Sequence, residues 1–362
     1  MTSWSKTSPP CKRDMSKATN IDSLPDDVLF EILLRVPAQD LYDSTRFVCH
    51  KWYNMINTRN FKHSHLQRST PGLLAVSVLK SEQAFMTIQN GRIEISKWSY
   101  GVGCRVLSSC NGLLLDGRYI TNPVTKQHFA LEKLTKTKRC ALAYAASSRA
   151  YKVVCASYSP FDRKHGLVCA IMTVGVDTDW RCRVNTQHLS LKAKELLKES
   201  LLTTRGFVHW VRNDCPESVL SMNVESEIIT QIPGPCLRDD CKSLYCHYLP
   251  MGRYLSMFID RGEFSWEVWK MKPEIGEWTK MPNIDLEPQK LPKHLIRECK
   301  RLHFKGPMLI PVGWSNSGEV LFFDVYLYIV AFNVRTREID LCKLGCMLNL
   351  FLDHRTSLEW LD

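Results

Sequence analysis

Residues 21–58 read IDSLPDDVLFEILLRVPAQDLYDSTRFVCHKWYNMINT, and this stretch decides how the first part of the chain folds. Apolar residues between Leu24 and Val36 recur every three or four positions, which predicts a helix with one apolar face. Pro25 suits the start of that helix, and the two aspartates after it lie where the helix dipole favours negative charge. Pro37 ends the helix, because the residue before a proline avoids the α region.

The same stretch predicts two further short helices. One begins near Ala38 and carries Leu41, and the other carries Val48, Trp52 and Ile56 at a spacing of four. A unit of about forty residues cannot bury so many apolar side chains against itself. Either the rest of the chain covers the surplus, or another protein docks on it.

This stretch resembles an F-box. The resemblance rests on the pattern Leu24-Pro25-x-Asp27-Val28-x-x-Glu31-Ile32-Leu33-x-Arg35-Val36-Pro37, then Leu41, then Arg46-x-Val48-Cys49-x-x-Trp52. It implies that the helices bind a Skp-type adaptor, which attaches the chain to a cullin-based ubiquitin ligase. It also implies that ten residues form or support the docking face: Leu24, Pro25, Val28, Ile32, Leu33, Pro37, Leu41, Val48, Cys49 and Trp52.

The bulk composition indicates a globular chain, with 44% hydrophobic and 23% charged residues in 362. It contains no apolar run long enough to span a membrane and no signal peptide, so we expect a nuclear or cytoplasmic location or both. The 15 cysteines are irregularly spaced, which favours reduced thiols. The net charge of +11 would suit an acidic partner or nucleic acid, but the lysines and arginines are dispersed, so we expect no nucleic acid partner. Since no apolar run could span a bilayer, we expect no membrane partner either.

After residue 72 the helical spacing gives way to short runs of β-branched and aromatic residues between turn signals. We therefore predict an α+β multidomain chain, in which a three-helix unit precedes an all-β domain. The expected parts are a flexible tail at 1–20, the F-box at 21–66, the β domain at 73–350 and a C-terminal tail at 351–362. The segment 189–200 is read as either a short helix or an exposed loop.

Three segments of the β domain look like copies of one hairpin, and they occupy 119–131, 220–233 and 331–339. Each has a strand that leads into an asparagine, then a turn, then a second strand. The wider pattern recurs at roughly forty to fifty residues, the length of a propeller blade. This spacing predicts a β-propeller-like domain, and the alternative is another all-β sandwich.

The β domain also resembles the F-box-associated domain of plant F-box proteins. The residues that carry this resemblance are Ser109-Cys110-Asn111-Gly112-Leu113-Leu114, Asn122-Pro123-x-Thr125, Gly206-x-x-His209-Trp210, Trp266-x-Val268-Trp269-x-Met271, Trp278-Thr279 and Gly318-Glu319-Val320. It implies a kelch-like domain that recruits a substrate, in a plant protein. The doubled glycines of strict kelch repeats are absent from the sequence.

Catalytic and metal-binding motifs are incomplete. Residues 313–318 approach a nucleophile elbow, but Ser317 stands where that motif needs glycine. Cys236, Cys241, Cys246 and His247 lack the tight Cys-x-x-Cys pairs of zinc sites. We therefore expect no enzyme activity, no cofactor and no metal.

The sequence supports one main hypothesis, that of a substrate-recognition subunit of an SCF-type ubiquitin ligase. The F-box would bind the Skp-type adaptor and, through it, a cullin, while the β domain would hold an unidentified protein substrate. One alternative is a propeller that binds a sugar or another small molecule, which then controls partner choice. Another alternative is an F-box protein that acts outside a ubiquitin ligase.

Overall fold

The computed structural model describes residues 24–77, 83–98, 106–131, 139–158, 167–181, 189–213, 216–235, 245–286, 291–293, 296–297, 309–315, 318–325, 327–344, 348 and 350–361. The first 68 residues supply four helices and one 3₁₀ turn within the described part. These are α1 (Asp26–Leu33), α2 (Ala38–Asp43), the 3₁₀ turn (Thr45–Phe47), α3 (His50–Asn57) and α4 (Arg59–Arg68). A fifth helix, α5 (Leu191–Leu196), settles the earlier choice between helix and loop in favour of a helix.

Two prolines place the first two helices. Pro25 and Pro37 are the N-cap residues of α1 and α2, with φ of −54° and −55°. Asp26 and Asp27 occupy the first turn of α1, as the dipole argument predicts. The third helix begins at His50, so Val48 precedes it rather than lying on it.

The rest of the described chain forms six antiparallel sheets, which we call blades 1 to 6. Blade 1 contains β24 (Leu350–His354), β1 (Gly72–Val76), β2 (Gln83–Gln89) and β3 (Arg92–Trp98). Blade 2 contains β4 (Val106–Cys110), β5 (Leu113–Asp116), β6 (Tyr119–Thr121) and β7 (His128–Ala130). Blade 3 contains β8 (Cys140–Ala145), β9 (Ala150–Tyr158) and β10 (Leu167–Thr173).

Blades 4 to 6 continue the same order. Blade 4 contains β11 (Ser200–Thr204), β12 (Phe207–Val211), β13 (Ser218–Asn223) and β14 (Ile228–Pro233). Blade 5 contains β15 (Cys246–Met251), β16 (Tyr254–Gly262), β17 (Ser265–Lys272), β18 (Glu277–Lys280) and the short β19 (Ile284–Asp285). Blade 6 contains β20 (Ile310–Ser315), β21 (Val320–Val325), β22 (Tyr328–Asn333) and β23 (Ile339–Lys343).

The first strands of the six blades close into a ring. In order they are β24, β4, β8, β11, β15 and β20, and each contacts the next, with β20 contacting β24. A separate apolar cluster fills each junction between neighbouring blades. The cluster between blades 5 and 6, for example, includes Phe258, Trp266, Trp314 and Phe323. The all-β domain is therefore a six-bladed propeller, which confirms the predicted fold class.

The last strand of the chain completes the first blade. Residues 350–354 form β24, which pairs with all five residues of β1, from Gly72↔His354 to Val76↔Leu350. The predicted C-terminal tail at 351–362 is therefore wrong for 351–354. Closing the ring satisfies the backbone of β1 that would otherwise be an open sheet edge. Residues 355–361 continue from this strand without regular secondary structure, and we call them the C-terminal strap.

The three hairpins that look alike in sequence share one turn geometry. The Oδ1 atoms of Asn122, Asn223 and Asn333 each accept hydrogen bonds from the backbone N–H groups two and three residues later, at 2.8–3.1 Å. In each turn the residue after these, at the fourth position, has a positive φ of 58–60°. An asparagine side chain that mimics a turn backbone explains why this residue recurs at the end of these strands.

One pair of cysteines departs from the expectation of reduced thiols. Cys140 of β8 and Cys155 of β9 are register partners, and their sulfur atoms form a disulfide. No helix among the described residues has the length and apolar character required to cross a membrane.

Candidate functional site

Helix α1 separates its apolar side chains into two sets. Leu29 and Leu33 are buried against the other helices, at 0% and 1% exposure, because they are one turn apart on the inner face. Val28 and Ile32, also one turn apart, are 41% and 42% exposed. The helix therefore has one apolar face in the core and a second pair of apolar side chains exposed to solvent.

The segment before α3 adds to the exposed apolar surface. Phe47 ends the 3₁₀ turn with 65% exposure, and the adjacent Val48 is 58% exposed. Tyr53, on α3, is 45% exposed. Of the twelve large apolar side chains that are exposed in the described part of the chain, five lie between residues 28 and 53. This concentration is the surplus apolar surface that the sequence predicts. We call these five residues the apolar strip: Val28, Ile32, Phe47, Val48 and Tyr53.

The ten predicted docking residues divide by exposure. Five are exposed, namely Pro25, Val28, Ile32, Pro37 and Val48. Three are half-buried, namely Leu24, Cys49 and Trp52. Leu33 and Leu41 are buried, so they can support the face but not contact a partner directly. Sequence reasoning left Phe47 and Tyr53 out of the predicted set, although both are large apolar residues within the same motif.

Ion pairs at the helix surface connect α1 to α3 and α4. Lys51 of α3 pairs with Asp26 at 2.7 Å and donates to the Leu24 carbonyl at 3.3 Å. Arg68 of α4 makes two hydrogen bonds to the Glu31 carboxylate, at 2.7 and 3.1 Å. A paired arginine fork fixes orientation as well as distance. These bonds connect both ends of α1 to the helices packed beneath it.

The helices are packed onto the propeller through two apolar residues. Val124, from the β6–β7 turn, and Leu358, from the C-terminal strap, are buried in the same cluster as Leu29, Leu41 and Phe61. His65 of α4 is also buried, and its Nε2 atom lies 2.8 Å from the Val36 carbonyl oxygen. Burial lowers the pKa of this imidazole. The core of the helical unit therefore continues into the propeller instead of ending at a free surface.

Hydrogen bonds from the strap reinforce this junction. The side-chain amide of Asn122 donates to the carbonyls of Ser357 and Glu359 at 3.0 and 2.7 Å. Ser357 donates to the Asn111 carbonyl at 2.7 Å, and Ser69, at the end of α4, donates to the Thr356 carbonyl at 2.7 Å. The strap thus bonds to blade 2 on one side and to α4 on the other.

A cavity of about 1750 Å³ runs along the propeller axis. The first strands of the blades line it, and α4 and the strap border it at one end. Aromatic side chains from five blades and the strap contribute to its wall, namely Phe129, Tyr144, Tyr151, Tyr254, Trp314, Phe351 and Trp360. The centre of the propeller is therefore an open, partly aromatic space rather than a packed core.

The tryptophans of the described blades divide between the blade cores and partly exposed positions. Trp210 and Trp266 are fully buried, and Trp314 is 4% exposed while it borders the cavity and donates to Ser256 at 2.9 Å. Trp269 and Trp278 are half-buried.

The sequence motifs considered for chemistry gain no support among the described residues. Cys236, Cys241 and Ser317 lie outside the described residues. Cys246 is buried with its sulfur 2.9 Å from the Asn213 carbonyl oxygen, and His247 lies 3.7 Å from Asp260. In the described ranges no group of three or more histidine, cysteine or acidic side chains is arranged to hold a metal ion.

Comparison with known families agrees with this architecture. Residues 21–64 match the F-box domain, and residues 61–347 match the F-box associated beta propeller domain. The fold and the helical unit thus define a class of two-domain proteins in which an F-box is joined to a propeller. This chain belongs to the F-box-associated propeller family and is a plant F-box protein, as the resemblance predicts.

F-box proteins from Arabidopsis thaliana are similar to this chain at low identity. F-box protein At5g18160 is 28% identical over 209 residues, which cover 53% of this chain and 48% of the relative. The match therefore spans about half the length of that protein. Putative F-box protein At4g17780 is 21% identical over 363 residues, covering 92% of this chain and 86% of the relative.

Among solved structures, the periplasmic gluconolactonase PpgL of Pseudomonas aeruginosa is similar over 80% of this chain and 98% of its own. The identity is 9% and the TM-score is 0.40, so this likeness carries no argument about function.

Proposed function

We propose that this protein is the substrate-recognition subunit of an SCF-type (Skp–cullin–F-box) ubiquitin ligase. The observation that carries the proposal is the apolar strip, which is exposed on helices whose inner faces are fully packed. An F-box generally binds a Skp-type adaptor, and an exposed apolar strip on a helical unit is the surface such a partner would cover. The proposal includes assembly into a ligase, attachment to a cullin through the adaptor, and capture of a protein target.

The junction between the domains supports this role. A ubiquitin ligase receptor works by proximity, since it holds target lysines near the conjugating enzyme. Proximity is most effective when the two binding ends keep a constant separation. Here the shared apolar cluster around Leu358 and the bonds made by Asn122 connect the F-box to blade 2 without a free linker. The chain itself would perform no covalent chemistry, because its role is to hold the target. We also propose that it acts in the nucleus, the cytoplasm or both.

Adaptor binding tests the proposal. We would change Val28 and Ile32 together to aspartate in the full chain and measure capture of a recombinant plant Skp-type adaptor by titration. Since both side chains are exposed, the variant should fold, whereas two charges placed on a desolvated interface should lower affinity at least about a hundredfold.

A matched variant controls for added charge. Ile228, at the start of β14, and Ile275, in the β17–β18 turn, are 61% and 56% exposed, so their double aspartate variant carries the same charge away from the apolar strip. It should bind the adaptor as the unchanged chain does. Undiminished adaptor capture by the Val28 and Ile32 variant, with its fold intact by circular dichroism, would exclude the proposed docking face.

A second candidate function is favoured by the cavity. An open, aromatic-lined space at the propeller axis suits a small ligand that controls partner choice, whereas a packed centre would not. This candidate is compatible with the first, because the cavity and the apolar strip are built from different residues.

A further inference from the structure

Arginines occupy the same turn in three consecutive blades. Arg149 lies in the β8–β9 turn, Arg205 in the β11–β12 turn and Arg253 in the β15–β16 turn, and all three line the axial cavity. In each blade this turn joins the innermost strand to the second strand. The three side chains therefore lie around one end of the cavity, the end that α4 borders. We call this end the arginine mouth.

Two more arginines reach the same mouth from other elements. Arg59 is the first residue of α4, and Arg355 is the first residue of the strap. The carboxylates that line the cavity within the described residues are Asp353 and Glu359. Five guanidinium groups against two carboxylates leave an excess of three positive charges.

The arginines with observed hydrogen bonds use neutral acceptors. Arg205 donates to the Gln67 side chain at 3.1 Å, Arg253 to the Tyr254 hydroxyl at 2.8 Å, and Arg355 to the Ser69 carbonyl at 2.8 Å. Across the described residues none of the five forms an ion pair with a carboxylate. Their charges are oriented by these bonds but not neutralised by them.

The surroundings of the strap show the same imbalance. Burial lowers the pKa of Arg355, the neighbouring Asp353 opposes that change, and the charge of Arg205 adds to it. Desolvation raises the pKa of Asp353, which lines the cavity, to about 6. Asp353 therefore neutralises the guanidinium groups less as the pH falls, and two like charges remain close together at the mouth. A bound anion would relieve that repulsion.

We propose that the arginine mouth binds a small polyanion, a molecule that bears several phosphate or carboxylate groups. It would contact turns of blades 3, 4 and 5 together with α4 and the strap, so it would bridge the propeller and the F-box. The inference rests on the second candidate function and specifies the chemical class of its ligand. Arginine forks suit phosphate and carboxylate groups, which accept two parallel hydrogen bonds.

A small molecule fits the mouth better than an acidic polypeptide does. Helix α4 and the strap border the space, and Arg59 and His63 of α4 are part of its wall. A polypeptide would have to pass these elements, whereas a compact anion only has to reach the ring of turns. The Tyr144 ring adds an aromatic surface beside the cavity, 4.9 Å from that of Tyr151.

The test uses tripolyphosphate as the probe and the full chain as the protein. We would measure heat of binding and the change in melting temperature at low ionic strength and again at about 150 mM salt, where screening weakens exposed charges. The unchanged chain should bind the probe saturably with a stoichiometry near one and melt at a higher temperature. Arg149→Gln with Arg205→Gln should weaken binding at least about tenfold.

A charge-matched variant completes the experiment. Arg92→Gln with Arg335→Gln removes two exposed arginines outside the cavity, and it should bind tripolyphosphate as the unchanged chain does. Equal loss in both variants, or no saturable binding by the unchanged chain, would overturn the proposal. Binding of a hexaglutamate peptide but not tripolyphosphate would overturn it in favour of a polypeptide ligand.

Two further readouts keep this test separate from the functional proposals. If a neutral sugar binds and tripolyphosphate does not, the proposal of an anion site is excluded, whereas the proposal of a ligand-binding propeller stands. Adaptor capture should be the same for both arginine variants, because neither touches the apolar strip. Failure of the anion site is thereby distinguished from failure of the receptor function.

Discussion

Asn122 and Ser357 are hydrogen-bonded across the junction between blade 2 and the C-terminal strap, with the asparagine amide 3.0 Å from the serine carbonyl oxygen. The same amide reaches the Glu359 carbonyl, and its Oδ1 atom holds the β6–β7 turn. Asn122 is fully buried. The Asn122 side chain therefore stabilises a turn that occurs three times in the sequence and also makes a contact to the strap that occurs once.

Asn122→Ala should destabilise the protein more than the same change in an equivalent turn. It removes two turn bonds and two strap bonds and leaves buried partners unsatisfied, at a cost of about 3 kcal/mol. Asn333→Ala removes only turn bonds at a more exposed site and should cost about 1 kcal/mol. Urea unfolding of both variants measures the difference. Equal losses would mean that the strap bonds contribute nothing to stability.

Leu33 and Ile32 are neighbours with different expected effects. Leu33→Ala should lower the free energy of unfolding by about 2–5 kcal/mol, because the side chain is 1% exposed in the F-box core. Ile32→Ala should change stability by less than about 0.5 kcal/mol, since 42% of the residue is exposed. It should instead reduce adaptor affinity by about 1–2 kcal/mol. Thermal unfolding and adaptor titration on the same samples separate the two; a stable Leu33→Ala variant would contradict the packing.

Gly112 should tolerate a methyl group less well than Gly91. Both have a positive φ, 84° and 75°, so alanine costs about 1–2 kcal/mol at either position. At Gly91 the added Cβ meets open space, but at Gly112 it would collide with the Ser357 side chain and approach the Arg355 carbonyl oxygen. We expect Gly112→Ala to be the more destabilising by about 2 kcal/mol in urea unfolding. A smaller effect at Gly112 than at Gly91 would show that the strap yields freely.

Asp324→Asn should stabilise the protein at pH 8 but not at pH 4. Burial raises the pKa of this carboxyl to about 7 from its ordinary value of 3.8, and its Oδ1 atom has no hydrogen-bond partner within the described chain. Its contribution to stability is therefore present below pH 3.8 and is lost as the pH rises through 7. The neutral amide avoids that loss, so we expect a gain on the order of 1–2 kcal/mol at pH 8, discounted for partial exposure.

The comparison with the unchanged chain is essential for this pH experiment. Burial lowers the pKa of His209 and of His354 to about 3, so these groups favour unfolding as the pH falls below 6.5 and oppose the trend from Asp324. Subtracting the two unfolding curves isolates Asp324. Glu274→Gln, at an exposed carboxylate, serves as the control. A gain that is the same at pH 4 and pH 8 would contradict the assignment to ionisation.

Local patterns accounted for the helices and for much of each blade. Spacing of apolar residues and the two prolines place α1 and α2, because both signals act within one or two helical turns. The asparagines of the β6–β7, β13–β14 and β22–β23 turns follow from hydrogen bonds between residues two and three apart. These features need no information about distant parts of the chain, so the sequence alone determined the F-box unit and the repeated hairpins.

Only the tertiary structure decided which distant residues meet. The pairing of Gly72 with His354 joins the two ends of the propeller, and no local pattern near residue 350 indicates it. The division of α1 into Leu33 inside and Ile32 outside depends on where α4 and the propeller pack. The arginine mouth arises in the same way, because Arg149, Arg205 and Arg253 are about fifty residues apart in sequence and come together only when the blades close into a ring. Local structure depends on steric effects between neighbouring residues, whereas closure of the propeller ring depends on contacts along the whole chain.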